Sequence, residues 1–514
     1  MADFTTPGGR RPLRGTGNVS ANLKAADMTT LSASIVLATE NPAAVVTATI
    51  YMDFMKAYNA HTSREDVVTL VEKYASLCDS YLAEVMKVTE SLVSRKATPA
   101  WIEAIACQTL LTDERDTWKL TGALLHDRLK ADEFMEERGN RTMFVDGSRE
   151  GSDRKIVEAL MARDSFTRQA QLVVDWLERC AAHQSGMGNH DDRLQYFAGG
   201  SCTWKNTLHH VQSHNNIGSA SSSHVTELDA GALSRRWVPI HEFLLFRSVF
   251  FHLRAGQLQR AKELAADNGY RWLAAVIEEC RPCHDLHNAS TVGAGFKQPA
   301  QGSFYRDLWM RACWRAACSP RCSLYKRAVY GALSGNLQAM LPACTTWEDQ
   351  LWARMRAVVD VCVEQELRTA KQQDKSLGPL PPGYPSDRGT FQTVFRDLRE
   401  AVGTRGKRHQ EIAHIVQRGV VLGDADDLIE EIHYWVIRQV DKTPLLTIRF
   451  LVHTALLLRQ IGAETSTEAF SELLGIYIHM LVDEGHASLV ATYAAALKAT
   501  DPVPKYKQLS RPSN

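Results

Sequence analysis

YGALSGNLQAMLPACTTWEDQLWARM, residues 330–355, contains two helix ends and two helix starts within one short stretch. A run with helical spacing ends at Gly335, a residue type that readily adopts the left-handed conformation that closes a helix. A short helix then ends near Pro342. Thr346, with Asp349 three residues later, has the pattern of a capping box at a new helix start. The stretch therefore predicts helices joined by tight turns.

Glycine-terminated turns recur along the chain and indicate how it is organised. Besides Gly335, similar turns are predicted at Gly256, Gly423 and Gly485, and their irregular spacing excludes a repeat of fixed length such as about 34 residues. Sustained alternation of apolar and polar residues, which is typical of strands, is absent. At 514 residues the chain exceeds the ~250–300 residues of one compact core. The chain therefore contains either several domains or a stacked array in which each unit contacts only its neighbours, and the helix–turn–helix pattern favours the array, an all-α fold in the form of an elongated irregular α-solenoid.

Composition divides the chain into three parts. Residues 1–44 are rich in Gly, Thr, Arg and Ala with little periodicity, which predicts a flexible N-terminal tail. Residues 45–500 carry helical periodicity and form the predicted solenoid, and residues 501–514 are a predicted flexible C-terminal tail. The N-terminus lacks the apolar segment of a secretory signal.

The longest apolar run is PLLTIRFLVHTALLL, and Arg449 and His453 interrupt it. It is shorter than the ~20 residues that a membrane span requires. It therefore predicts a buried helix, and we predict no membrane span.

Charge and cysteine content limit the classes of partner and compartment. Lysine plus arginine and aspartate plus glutamate both number 59, so the formal net charge is zero. A neutral chain has no general attraction to nucleic acid or anionic membranes, and we predict no direct binding of nucleic acid. The eleven cysteines lie mostly inside helical patterns without the spacing of a disulfide framework, which favours a reducing compartment.

One group of cysteines has spacings that metal sites use. Cys280 and Cys283 form a Cys-x-x-Cys pair followed by a histidine, and Cys313, Cys318 and Cys322 lie downstream. Zinc takes four such ligands, and Cys-x-x-Cys-His also attaches haem. However, Cys280 ends an apolar helical pattern and Cys313 lies within another, where a small buried thiol packs well. No metalloprotease or serine-hydrolase motif occurs. We therefore predict no metal site, no cofactor and no enzyme activity.

The segment 164–182 predicts an unusually wide apolar face. Its main stripe comprises Phe166, Ala170, Val173, Leu177 and Ala181. Leu172 and Trp176 lie outside that stripe, and at about 100° per residue the apolar arc then spreads over roughly 200°. One neighbouring layer of helices cannot cover so wide an arc, so either a second internal helix or a partner subunit must do so. Leu172 and Trp176 are therefore candidate residues of a protein interface.

Several long stretches follow one another in an order typical of one protein family. They are ERDTWKL from Glu114, IVEALMARDSFTRQAQLVVDWLE from Ile156, WKNTLH from Trp204, VTELD from Val225, LRAGQLQRAKEL from Leu253, YRDLWMRACWR from Tyr305, AVYGALSGNLQAMLPACTTWEDQLWA from Ala328, HIVQRGVVLGDADDLIEE from His414 and IYIHMLVDEGHASLVATY from Ile476. On these stretches the chain resembles the nucleoporin 107 family from about Val45 to about Ala496. Members of that family are scaffold subunits of the Y-shaped complex in the nuclear pore.

The resemblance implies a fold, a function and partners. The fold is an elongated helical stack in which a middle portion doubles back as a crown over a trunk, and no enzyme activity is implied. The function is a structural scaffold role in the outer ring of the nuclear pore complex at the nuclear envelope, supporting pore assembly and the transport of mRNA and protein. The partners are other nucleoporins of the Y-shaped complex, with a sister subunit at the crown, near segment 164–182.

The chain also departs from the family pattern. The cysteines from Cys280 to Cys322 do not belong to that pattern, which further disfavours zinc. Family members continue beyond the stretch LVATYAAAL with a helical tail module that contacts a stem nucleoporin, whereas this chain ends KATDPVPKYKQLSRPSN, so the stem contact is not expected. The alternative function is another coat or adaptor α-solenoid in vesicle traffic, because such coats share this architecture and fold does not fix function.

Overall fold

A computed structural model describes most of the helical part of the chain. The described residues are 41–63, 66–93, 98–138, 153–184, 230–280, 306–371, 377–402, 408–462 and 466–498. Within these ranges the backbone forms helices, turns and short connections, and no residue is in a strand. The all-α prediction is confirmed.

The described helices are numbered in chain order. They are α1 (Pro42–Thr47), α2 (Ile50–Ala60), α3 (Val67–Ser91), α4 (Pro99–Arg138), α5 (Asp153–Arg163), α6 (Ser165–Gln184), α7 (Ala230–Arg254), α8 (Leu258–Asp267), α9 (Arg271–Glu278), α10 (Arg306–Cys318), α11 (Leu324–Ser334), α12 (Leu337–Met340), α13 (Trp347–Ala370), α14 (Phe391–Val402), α15 (Arg408–Leu422), α16 (Ala425–Gln439), α17 (Leu445–Gln460), α18 (Thr467–Asp483) and α19 (Ala487–Lys498). Short 3-10 turns at Leu341–Ala343 and Val440–Lys442 extend α12 and α16.

The helix boundaries in the opening stretch follow the predicted local chemistry. Helix α11 ends at Gly335, whose φ of 74° is left-handed. The backbone N–H of Gly335 donates to the Gly331 carbonyl in the turn that closes the helix. Thr346 and Asp349 form the complete capping box at the start of α13, each side chain accepting from the other residue's backbone N–H. The other three predicted turn glycines also have φ between 67° and 81°.

The first described helix begins a few residues ahead of the predicted boundary at residue 45. Asn41 caps α1, since its side-chain oxygen accepts from the Ala44 N–H at 3.0 Å. Pro42 occupies the first helical position, where its missing N–H costs nothing and its fixed φ favours the helix. An Asn-Pro pair is thus a start signal, and the low periodicity around it concealed this short helix.

The chain runs outward and then returns alongside itself. On the outward course α3 pairs with α4, α4 packs on α6, and α7 leads to α8 and α9. On the return course α11 packs against α7, α13 packs along α5 and α6, and α15 and α17 contact α4. The described part is therefore a helical stack folded back on itself, with its turnaround at α7–α12. Its two ends meet where α3 is bonded to α17.

The apolar run around Arg449 forms α17, and this helix is buried on nearly every side. A helix that is apolar all round belongs in the interior of a protein, so the prediction of a buried helix is confirmed. None of the helices in the described ranges is both long enough and apolar enough to cross a membrane.

Candidate functional site

The two candidate interface residues lie on α6. This helix packs against α4 and α13 and also contacts α5 and α7. Leu172 is 9% exposed and Trp176 is 3% exposed. The Trp176 indole N–H donates a hydrogen bond to the backbone carbonyl of Asp116 in α4 at 2.7 Å. The wide apolar arc is thus covered by the chain's own helices.

Leu172 and Trp176 thus pack on helices of the chain itself, as the internal alternative requires, and their role in a partner interface stays a prediction. The arc looked too wide for one neighbouring layer, but the folded-back chain supplies α6 with neighbours from both courses. α4 belongs to the outward course, and α13 belongs to the return course. The sequence around α6 does not show this second layer, because α13 follows far along the chain.

The cysteines with metal-like spacing differ in their surroundings. Cys283 lies outside the described residues, Cys280 and Cys322 are half-buried, and Cys313 is buried. Cys318 is exposed, and its sulfur accepts a hydrogen bond from the Asn336 side chain at 3.3 Å. Burial raises the pKa of the Cys280 and Cys313 thiols, which disfavours the thiolates that metals require. Over the described ranges, no group of three or more His, Cys, Asp or Glu is arranged to hold a metal ion.

A buried polar cluster joins the two ends of the folded-back stack. Arg449 in α17 forms an ion pair with Glu114 in α4, and both side chains are shielded from solvent. The Trp118 indole N–H donates to the same carboxylate at 3.1 Å. The Arg449 guanidinium carbon lies 3.9 Å from the centre of the Phe54 ring in α2. These contacts compensate in part for the hydration that two buried charges lose.

His453, one turn further along α17, continues this cluster. Its Nδ1 lies 2.8 Å from the Tyr74 hydroxyl of α3, and its Nε2 lies 2.9 Å from the Tyr493 hydroxyl of α19. Burial, and then the Arg449 charge, lower the pKa of His453 well below its usual value, so the ring is neutral. A neutral imidazole has one donor and one acceptor nitrogen, so one tyrosine donates and the other accepts. The ring thereby ties α3 to α19.

A second charged network lies where α6, α7 and α13 meet. Glu178 in α6 accepts from the Trp352 indole at 3.1 Å and lies 3.7 Å from the Arg356 guanidinium. Arg254 in α7 pairs with Asp349 in α13 at 2.9 Å and also donates to a backbone carbonyl of α6. Burial, opposed by Arg356, raises the pKa of Glu178 to about 7. The network fixes the return course against the outward course.

Two of the turn glycines pack directly on this network, which Asp360 joins by pairing with Arg356 at 3.4 Å. A Cβ placed on Gly256 would lie 2.6 Å from a carboxylate oxygen of Glu178, and one on Gly335 would lie 2.7 Å from the Cβ of Asp360. Both distances are too short for a real Cβ. These positions therefore require glycine for close packing as well as for their left-handed backbone.

A third polar site lies at the junction of α4, α13 and α15. Asp113 in α4 has a buried Oδ2 without a hydrogen-bond partner. Burial, followed by the nearby carboxylates Glu348 and Asp116, raises the pKa of Asp113 to about 7. Glu348 in turn lies 3.0 Å from the Nε2 of His414 in α15. The junction thus holds a carboxyl group that is neutral at acidic pH.

An aromatic patch is exposed at the turnaround of the stack. We define it as Phe243 in α7, Trp272 in α9, and Leu324, Tyr325 and Lys326 in α11. Trp272 is 46% exposed, and the ring centroids of Phe243 and Tyr325 are 5.2 Å apart. The Lys326 ammonium lies 5.8 Å from the centre of the Trp272 ring, which makes the patch continuous across α9 and α11. Tryptophan and tyrosine are the residue types most enriched in the energetic centres of protein interfaces.

Sequence reasoning missed most of these residues. Glu114 and Glu178 each lie in a helical pattern that explains them equally well as surface charges or packing residues. The one available signal was the pair Arg449 and His453 inside the longest apolar run, because a charged side chain in a buried helix requires a buried partner. The partner itself lies in a distant part of the chain and could not be read from that signal.

The described helices and the polar clusters that join them define the class of protein as an all-α helical stack. The buried clusters lock helices of the two courses together, and the exposed chemistry is suited to contacts with other proteins. A family model described as nuclear pore protein 84 / 107 matches residues 108–510 of this chain. The chain belongs to that family, and the resemblance stated from its sequence is confirmed.

Individual relatives support the same assignment. The chain is 34% identical, over 92% of its length, to the nuclear pore complex protein Nup107 of Mus musculus and covers 50% of that protein. It is 34% identical over 93% of its length to Nup107 of Homo sapiens, covering 51% of it. The nucleoporin NUP84 of Chaetomium thermophilum is 25% identical over 62% of the chain and is covered over 36% of its own length. The chain thus spans about half the length of the mouse and human relatives.

Proposed function

We propose that this chain is a structural scaffold subunit of the outer ring of the nuclear pore complex, within its Y-shaped complex at the nuclear envelope. It supports pore assembly and thereby the transport of mRNA and protein. The observation that carries the proposal is the family match over residues 108–510. The folded-back stack suits this role, because its buried charged networks hold a fixed shape on which other subunits can dock.

The partners in this proposal are other nucleoporins, and a sister subunit at the crown is the first of them. The crown corresponds to the portion that doubles back, and the aromatic patch lies at that turnaround. Trp272, Phe243 and Leu324 expose large apolar surfaces there. Burying such side chains in a partner's pocket contributes more to binding than most other surface contacts do. The patch is therefore the surface proposed for the crown-side contact.

Affinity purification of the tagged full chain tests the proposed function. Nucleoporins should be recovered, and Trp272→Ala should reduce the recovery of one of them at least about tenfold, as expected for the loss of an energetic centre. Ile102→Ala is the matched control, because Ile102 is an exposed apolar residue on the distant helix α4. Recovery of vesicle-coat subunits instead of nucleoporins would favour the coat or adaptor alternative. Equal effects of the two variants would contradict the role of the aromatic patch.

A further inference from the structure

The outer face of α16 carries large apolar residues that packing among the described helices leaves exposed. Tyr434 is 62% exposed and Ile437 is 52% exposed. The opposite side of α16 buries Leu428, Ile432 and Trp435, and the helix packs on α15 and α18. The exposed face is therefore separate from the side that holds α16 in the stack.

One acidic and one basic residue flank Tyr434 along this face of α16. Glu430 lies one turn before Tyr434 and Arg438 lies one turn after it, so the three residues share one side of the helix. Glu430 is exposed. The Arg438 guanidinium carbon lies 4.9 Å from the centre of the Tyr434 ring, and Arg438 donates to the Tyr434 hydroxyl. Along the helix axis, this face therefore presents a carboxylate, then an apolar centre, then a guanidinium.

We propose that this face of α16 binds the same face of a second copy of the chain, as an antiparallel helix pair with a two-fold axis near Tyr434. In that arrangement Glu430 of each copy meets Arg438 of the other, and the contact occurs twice by symmetry. Tyr434 and Ile437 of the two copies cover each other at the centre. A parallel pair would instead place Glu430 against Glu430, so the charge order selects the antiparallel arrangement.

The expected association is weak. One helix face offers less than the roughly 800 Å² per partner of a standard stable interface, so we expect weak binding, with a dissociation constant on the order of 100 µM. Because the charges are exposed, high salt should weaken the pair, since the Debye length falls from about 10 Å at 0.1 M to about 3 Å at 1 M. Such a contact becomes significant where many copies are held close together.

Sedimentation velocity of the full chain, from about 10 µM to about 500 µM, tests this proposal on either side of the expected constant. The unmodified chain should show a monomer–dimer equilibrium. Glu430→Arg alone and Arg438→Glu alone should each weaken dimerisation at least about tenfold, because each creates two like-charge contacts. The double variant carrying both changes should restore it. Glu400→Arg, which reverses an exposed carboxylate on α14, is the control and should change nothing.

Three outcomes would overturn the proposal. The first is a chain that remains monomeric over the whole concentration range, which would leave the face to an unlike partner. The second is self-association that neither single reversal affects, because it would then use another surface. The third is a double variant that fails to recover dimerisation although its far-ultraviolet circular dichroism and thermal unfolding match those of the unmodified chain.

Discussion

Two adjacent buried carboxyl groups of α4 differ in how well they are paired. The Glu114 carboxylate has both the Arg449 guanidinium and the Trp118 indole N–H as partners. Asp113, the adjacent residue, has a buried oxygen without a partner and a raised pKa. The two neighbours therefore differ in their partners, and each makes a separate prediction.

Removing Arg449 should strongly destabilise the chain. Arg449→Leu leaves the Glu114 carboxylate buried and without its counter-ion, which typically costs about 3–5 kcal/mol of unfolding free energy. The double variant Arg449→Leu with Glu114→Leu should recover much of this loss, because no unpaired charge remains. Lys87→Ala, which breaks the exposed pair with Glu84, should change the unfolding free energy by no more than about 0.5 kcal/mol. Urea unfolding measures all three, and equal costs for Arg449→Leu and Lys87→Ala would contradict the account.

The Asp113 carboxyl should make stability decrease as pH rises. Its pKa is about 7 in the folded chain and 3.8 in the reference state, so the folded state binds more protons between these values. The contribution is fully present below pH 3.8 and is lost as pH rises through 7. Asp113→Asn removes this titration. The unfolding free energy of the variant minus that of the unmodified chain should therefore be more positive at pH 8 than at pH 5. A stability difference that is independent of pH would show that Asp113 is not protonated in the folded chain.

At the scale of elements, the turn glycines show why the turns between helices require a particular residue type. Gly335 and Gly485 both have left-handed φ values, of 74° and 81°. A Cβ on Gly335 would meet Asp360, whereas a Cβ on Gly485 would have nothing within 4 Å. Comparing substitutions at the two positions therefore separates the cost of backbone strain from the cost of a steric clash.

Gly335→Ala should cost more unfolding free energy than Gly485→Ala. Both variants force an L-residue into the left-handed region, at about 1–2 kcal/mol. Gly335→Ala adds a clash between α11 and α13, which typically costs a further 1–3 kcal/mol or so. Thermal or urea unfolding of the two variants gives the difference. Equal costs would mean that α13 moves aside without penalty.

Leu172 tests whether α6 is an internal helix. Leu172→Asp places a carboxylate among the helices that cover α6, so it should cost several kcal/mol and abolish a cooperative thermal transition. Leu172→Met keeps the apolar volume and should cost less than about 1.5 kcal/mol. A Leu172→Asp variant that unfolds cooperatively near the temperature of the unmodified chain would mean that this face is open to a partner.

Much of the element structure could be predicted from the sequence because its signals are local. The glycine at the end of α11 and the capping box at the start of α13 act within four residues of themselves. The apolar run of α17 likewise shows burial by its composition. Covering of α6 by α13 could not be predicted in this way, because periodicity gives the width of an apolar face but not the helix that covers it.

At the scale of the whole molecule, the central feature is the contact between the two ends of the folded-back stack. Tyr74 and His453 are hydrogen-bonded although 379 positions separate them, and Tyr493 completes the link. Arg128 in α4 donates to two carbonyls in the last turn of α15, at Val420 and Val421, which lie 292 and 293 positions further along the chain. No local pattern encodes such contacts, so the sequence predicted a helical stack but not this closure. The closure implies that α2–α4 and α17–α19 are stabilised together.

Hydrogen exchange of the full chain carrying His453→Ala tests this closure most directly. The variant removes both tyrosine contacts and leaves a cavity, so opening of the joined ends should become easier. We expect amide protection to fall together in α2, α3, α18 and α19, while α7–α12 at the turnaround keep the protection of the unmodified chain. Loss of protection confined to α17, with α2 and α3 unchanged, would contradict the claim that the two ends of this helical stack form one unit.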